Sequence, residues 1–78
     1  MPSIFVHMFP GRDVKAKRAF AKAVTDAAVE HLQCHRDGVS IIFSEMATED
    51  FARGGLLKSD ELAAKGLTLE EYQQESKE

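Results

Sequence analysis

The apolar residues at the start of the chain lie too close together for a helical stripe. Ser3 to Phe9 is rich in Ile, Phe and Val and stops at Pro10-Gly11, so the spacing predicts a first strand. Asp13 is a suitable N-cap for the segment that follows. From Val14 to about Leu32, Ala16, Phe20, Ala23, Val24, Ala27, Val29 and Leu32 form a broad helical stripe, with Lys15, Lys17, Arg18, Lys22 and Asp26 on other faces. After a polar connection at 34–38, Val39 to Met46 alternates again. Ser40, Ile42, Ser44 and Met46 fall on one face, and Val39, Ile41, Phe43 and Glu45 on the other. Strand, long helix and strand make a βαβ unit, which predicts parallel strands joined by a right-handed crossover.

The last third reads as shorter pieces. Thr48 to Phe51 is a turn, and residues 52–57 form a short hairpin around Gly54-Gly55, glycines that permit positive φ. Ser59 is expected to cap a brief helix through Lys65 that ends at Gly66. Thr68-Leu69-Glu70-Glu71 fits a capping box for a final amphipathic turn or two, in a tail expected to fray beyond Gly66. Two strands cannot bury both a helix and a sheet. With 78 residues, the chain is near the size at which association supplies missing burial, so self-association is expected.

Composition narrows the class. Hydrophobic content of 44% with 29% charged residues is globular, and no apolar run approaches the roughly 18 residues of a membrane span. The first residues lack the basic end and long apolar stretch of a signal peptide, which predicts a soluble, cytoplasmic protein. Residues 1–58 hold eight Lys/Arg against seven Asp/Glu, whereas 59–78 hold two against six. Neither part is basic enough to predict nucleic-acid binding, and no membrane partner is expected. Cys34 is the single cysteine, so neither an intrachain disulfide nor an all-cysteine zinc site can form. His31, Cys34 and His35 straddle a helix end and offer at most three ligands, so no metal is expected.

Pro2 carries the chemical interest. By itself it also suits the beginning of an edge strand. If Met1 is removed, however, Pro2 presents a secondary amine with an ordinary pKa of about 8, and an apolar pocket or neighbouring cations would favour its neutral form. A general base needs that form, and the pyrrolidine ring fixes the direction of its lone pair. Arg12 follows the first strand beside a helix N-cap. It is either an ordinary surface residue or a fork of donors for a carboxylate and its developing enolate charge.

Taken in order, these features resemble the small subunits of the 4-oxalocrotonate tautomerase family. They are Pro2, a strand running into Pro10-Gly11-Arg12, a helix of about nineteen residues, Ser44-Glu45-Met46 at the end of the second strand, Phe51, and Arg53-Gly54-Gly55. The match covers residue 2 to about residue 57. It implies an α/β (α+β) protomer of the tautomerase type, with two parallel strands, one long helix, a C-terminal hairpin and a short helical tail. The chain is expected to be one domain, 1–78, with a core at 2–57 and an acidic, partly helical tail at 58–78.

The resemblance further implies a cofactor-independent isomerase that moves a proton in a small anionic 2-oxo acid, its enol or a 2-hydroxydienoate. By position, Pro2 is the base, Arg12 binds the far carboxylate and Phe51 lines an apolar wall. A hexamer built as a trimer of dimers is expected ahead of a dimer, joined through the Gly54-Gly55 hairpin. One departure stands out: Ser40 occupies the place of a second arginine that polarises the 2-oxo group in relatives acting on 2-hydroxymuconate. Losing that cation removes a charge-assisted contact, although Ser40 can donate a weaker hydrogen bond. Arg53, in the hairpin, is a candidate substitute that would reach the pocket of a neighbouring subunit. Two other readings remain open, a hydratase or dehalogenase with protonated Pro2 as the acid, and a non-catalytic oligomeric protein of the same fold.

Overall fold

The computed structural model describes residues 1–75. Strand β1 spans Ser3–Met8, helix α1 Val14–Leu32 and strand β2 Ser40–Glu45. Short 3-10 turns at Arg36–Gly38 and Thr48–Asp50 lead into β2 and into a hairpin of β3 (Ala52–Arg53) and β4 (Leu56–Leu57). Helices α2 (Lys58–Lys65) and α3 (Leu69–Glu75) close the described chain. The fold is α+β. β1 and β2 form a parallel two-stranded sheet, while β3 and β4 pair antiparallel with Ala52 opposite Leu57 and Arg53 opposite Leu56. Packing gathers the chain into two compact units, residues 1–8 with 12–44, and residues 9–11 with 45 onward.

In the first unit, Asp13 caps α1 by accepting from the Ala16 amide at 2.9 Å, and Gln33 ends the helix in the left-handed region. β1 alternates as expected: Ile4, Val6 and Met8 are half-buried, and Ser3, Phe5 and His7 exposed. β2 does the same, with Ile41 and Phe43 covered and Ser40, Ile42 and Ser44 exposed.

The helix departs from expectation in its rotation. The covered face of α1 follows Lys17, Ala21, Val24, Thr25, Ala28 and Val29, whereas Ala16, Ala23, Ala27 and Leu32 are exposed. The reason is that a sheet two strands wide supports only a narrow strip of helix, and small side chains bring the two surfaces closest. Phe20 lies beside that strip, 44% exposed, and still reaches Phe43 edge-on with ring centroids 6.0 Å apart.

In the second unit, Gly54 and Gly55 both take positive φ, 62° and 82°, which lets the hairpin close in two residues. α2 begins one residue before the expected cap. Leu57 holds the N-cap position without a side-chain bond, because the Lys58 amide donates to the Phe51 carbonyl at 2.8 Å and starts the helix from the hairpin's base. Ser59 therefore lies inside the first turn. Gly66 ends α2 in the left-handed region, as expected.

The amphipathic turns expected after the capping box are present as α3. Thr68 and Glu71 form a reciprocal capping box at 2.9 and 3.2 Å, and α3 runs to Glu75. Residues 76–78 of the expected tail lie outside the described residues.

Among the described residues, the apolar side chains that are buried are Ala28 and Leu62. Large apolar groups stay open instead: Phe5 is 60% exposed, Leu32 62% and Ile42 41%. Phe5 and Ile42 lie on the sheet face turned away from α1.

Candidate active site

Pro2 sits immediately before β1, half-buried, and its carbonyl accepts a hydrogen bond from the Ser40 amide at 3.0 Å. This bond puts the first residue of β2 beside the foot of β1, so Pro2 and Ser40, two of the residues singled out from the sequence, are brought together. With Met1 attached, the Pro2 nitrogen is a tertiary amide with neither a basic lone pair nor a proton to give. Met1 itself is almost fully exposed. Its side chain borders an open pocket of about 530 Å³ lined also by Cys34, His35, Asp37 and Gly38.

The floor of this pocket is braced by bonds within the α1 to β2 connection. Gly38 and Val39 amides donate to the carbonyls of His35 and Arg36 at 2.9 and 3.1 Å. Arg36 reaches back to Asp26 at 2.6 Å, where Lys22 also donates at 2.9 Å. The hydrogen bond from Lys22, then that from Arg36, holds the Asp26 carboxyl below its usual range. Cys34 points its thiol at the Ala28 carbonyl, 3.6 Å away. The sequence marked His31, Cys34 and His35 only as a weak metal cluster. Among the described residues no group of three His, Cys, Asp or Glu side chains is placed to hold a metal.

Arg12 lies between Gly11 and the α1 N-cap Asp13. Its side chain is exposed and, among the described residues, has no ion-pair partner, which leaves a guanidinium open to an anion.

Phe51 and Arg53 form a cluster of their own in the second unit. Phe51 is half-buried, meets Phe9 edge-on at 5.5 Å, and carries the Arg53 guanidinium over its ring at 5.4 Å. The aromatic pair makes an apolar wall, and Arg53 adds a cation to its rim.

Sequence reasoning missed two residues of this unit. Lys58 is only 6% exposed, yet it is charged: its ammonium lies 4.1 Å from the centre of the Tyr72 ring and donates to Glu61 at 3.2 Å. Its pKa is raised, chiefly by hydrogen bonding with Tyr72 and further by Glu61, against the opposing pull of desolvation. Glu61, bonded by Lys58 and then by Lys65, is held below its ordinary value. The other missed residue is Gln73, whose side-chain amide donates to the Pro10 carbonyl at 3.3 Å. Lys58 has no sequence signal, because a lysine between an apolar pair and a serine reads as surface. For Gln73 the only hint is the capping box that starts its helix.

The family model described as tautomerase enzyme matches residues 2–61, and the chain belongs to the tautomerase family. A probable tautomerase of Ralstonia nicotianae is 36% identical over 61 residues, 78% of this chain and 94% of that protein. A probable tautomerase of Listeria innocua is 32% identical over 60 residues, 77% of this chain and 98% of that one. Among solved structures, one from work on the 4-oxalocrotonate tautomerase isozymes of Methylibium petroleiphilum superposes with a TM-score of 0.76 at 33% identity. The superposition covers 81% of this chain and 98% of that chain. TomN, a 4-oxalocrotonate tautomerase homologue in the tomaymycin biosynthetic pathway, gives a TM-score of 0.72 at 32% identity, covering 81% and 95%. The resemblance drawn from the sequence therefore holds at the level of family and fold.

Proposed function

We propose that the chain, once Met1 is removed, is a cofactor-independent tautomerase of small enolisable 2-oxo acids with Pro2 as its general base. The observation that carries this reading is that the family match begins at Pro2, the residue tied through its carbonyl to the start of β2. Held in this way, the ring nitrogen has a fixed direction. The Pro2 lone pair takes the proton of a 2-hydroxyl group as the oxygen closes to a carbonyl and the double bond's electrons move to carbon. The prolinium then returns that proton to carbon, so the base is regenerated and atoms balance.

Arg12 binds the far carboxylate of a substrate with two carboxylates. Ser40 supplies a hydroxyl donor, Phe51 is the candidate for an apolar wall, and Arg53 of a neighbouring copy is the candidate for the cation that the Ser40 position lacks. Copies of the chain associate through the open faces bearing Phe5, Ile42 and Leu32, with a hexamer preferred over a dimer. A cytoplasmic setting belongs to the same proposal; among the described residues no helix is long and apolar enough to cross a membrane.

The test uses protein whose intact mass shows loss of Met1, assayed with phenylenolpyruvate and 2-hydroxymuconate alongside Pro2→Ala. Ketonisation that falls by about two orders of magnitude or more in the variant supports the proline mechanism. Ketonisation that the substitution leaves untouched refutes it.

A second reading, a hydratase on the same scaffold, would need a carboxylate to activate water, and Asp37, one of the residues lining the open pocket at the amino end, is a candidate. Asp37→Asn separates the two, since loss of water addition with ketonisation retained points to the hydratase.

A further inference from the structure

Gly38 ends the 3-10 turn that leads into β2, two residues ahead of Ser40, whose amide is bonded to the Pro2 carbonyl. The other glycines of the chain, at 11, 54, 55 and 66, hold positive φ and answer a demand of the backbone, whereas Gly38 does not. Its backbone therefore accepts a side chain. Packing does not exclude one either. Among the described residues and outside its chain neighbours, a Cβ at position 38 would meet one atom within 4 Å, Cγ of Met1 at 3.7 Å, an ordinary van der Waals contact. What glycine leaves here is space.

That space faces the reacting end of the chain. Met1 is joined to the Pro2 nitrogen, so its atoms mark the side from which a substrate must approach that nitrogen once Met1 is gone. At 97% exposure, Met1 stands over the pocket that it borders with Cys34, His35, Asp37 and Gly38 rather than packing into the fold. Its loss clears the room in front of Gly38. The Gly38 amide is committed to the His35 carbonyl at 2.9 Å, and the half-buried Cys34 thiol points at the Ala28 carbonyl 3.6 Å away. This stretch of wall is therefore bare backbone with its donors already engaged. A flat ring can lie closer to such a wall than to one carrying a Cβ. The 530 Å³ of the pocket falls within the roughly 300–1,000 Å³ of small-molecule sites.

We propose that this space is a subsite for the aryl group of a small carboxylate, in the reaction an aryl 2-oxo acid or its enol, and that Gly38 sets its width. The subsite deepens the reading of Pro2 as the base, on which it rests, by naming the kind of substrate that Pro2 serves. A side chain at position 38 projects into the room that Met1 leaves. It shuts out a ring, while a slender unbranched chain still passes.

The experiment compares full-length protein lacking Met1 with Gly38→Ala and Gly38→Leu, using phenylenolpyruvate, which carries a ring, and 2-hydroxymuconate, an unbranched chain. Gly38→Leu should lower kcat/KM for phenylenolpyruvate about ten- to hundredfold, the effect of overfilling an apolar contact, and for 2-hydroxymuconate less than about threefold. Gly38→Ala should fall between wild type and Gly38→Leu on the ring substrate. Circular dichroism checks that each variant is folded, and Gly38→Ala carries the comparison if Gly38→Leu is not. Equal losses on both substrates, or no loss on either, would overturn the proposal, as would a wild type that converts 2-hydroxymuconate alone.

A binding readout stands apart from catalysis. 3-Phenylpropanoate has the ring and one carboxylate but no enol to convert. It should shift the backbone amide resonances of Gly38 and Val39 in the wild type and bind Gly38→Leu at least about tenfold more weakly. If wild type turns over neither enol, the tautomerase reading fails while this titration still decides the subsite. No shift at Gly38, or equal affinity in the two proteins, would sink it.

Discussion

Gly11→Ala offers a sharp check on the geometry of the β1 to α1 connection. Two costs are separable. The backbone at φ +131° lies in territory open almost only to glycine, and holding alanine there costs about 1–3 kcal/mol. The new Cβ would also stand 2.6 Å from Gln73 Oε1. Because that oxygen is the far end of a flexible side chain, Gln73 can swing away, at the loss of its bond to Pro10, about 0.5–1.5 kcal/mol. The sum is about 1.5–4.5 kcal/mol, which for a domain of this size lowers the thermal midpoint by roughly 6–36 °C.

Thermal unfolding followed by circular dichroism measures this, at fixed protein concentration so that any association cancels. The same substitution in a Gln73→Ala background should cost less by about 0.5–1 kcal/mol, since the second cost has already been removed. A Gly11→Ala protein as stable as wild type would refute the backbone argument. Additivity to within about 0.3 kcal/mol would refute the contact with Gln73.

Other substitutions probe the second unit. Leu62→Ala removes a buried side chain of α2 and should cost about 2–5 kcal/mol in chemical denaturation, with the midpoint moving and the slope unchanged. Glu61→Gln tests the bonds to Lys58 and Lys65. Folding holds this carboxyl below its reference value of 4.5, so in the window between folded and unfolded values the unfolded chain binds more protons and stability rises with pH. The contribution is present above about pH 5 and is lost as pH falls through the folded value. Wild type should therefore exceed Glu61→Gln in thermal midpoint near neutrality, and the two curves should converge toward pH 3. Parallel curves would contradict the assigned bonds.

Much of the architecture is written in local signals. Asp13, the apolar run from Ser3, the glycine pair at 54–55, Gly66 and the Thr68–Glu71 box each specify a boundary by themselves, and each boundary lies within a residue or so of where they place it. The rotation of α1 was not legible, since an alanine-rich helix offers several equivalent faces and the width of the sheet chooses among them. Pro2 was legible from the chemistry of an N-terminal proline and Ser40 only through the family resemblance, and the backbone bond between them follows from parallel pairing. Gln73 and Lys58 were invisible because their roles depend on contacts between positions far apart in sequence. A glutamine gains meaning only when a carbonyl 63 residues away stands in front of it.

The shortage of buried side chains in a lone copy has a thermodynamic corollary. If Phe5, Ile42 and Leu32 find cover only against further copies, folding and assembly form a single equilibrium in which protein concentration appears explicitly. Dilution then acts as a denaturant. Mass action, as much as any contact within the chain, sets how much native protein exists at a given concentration.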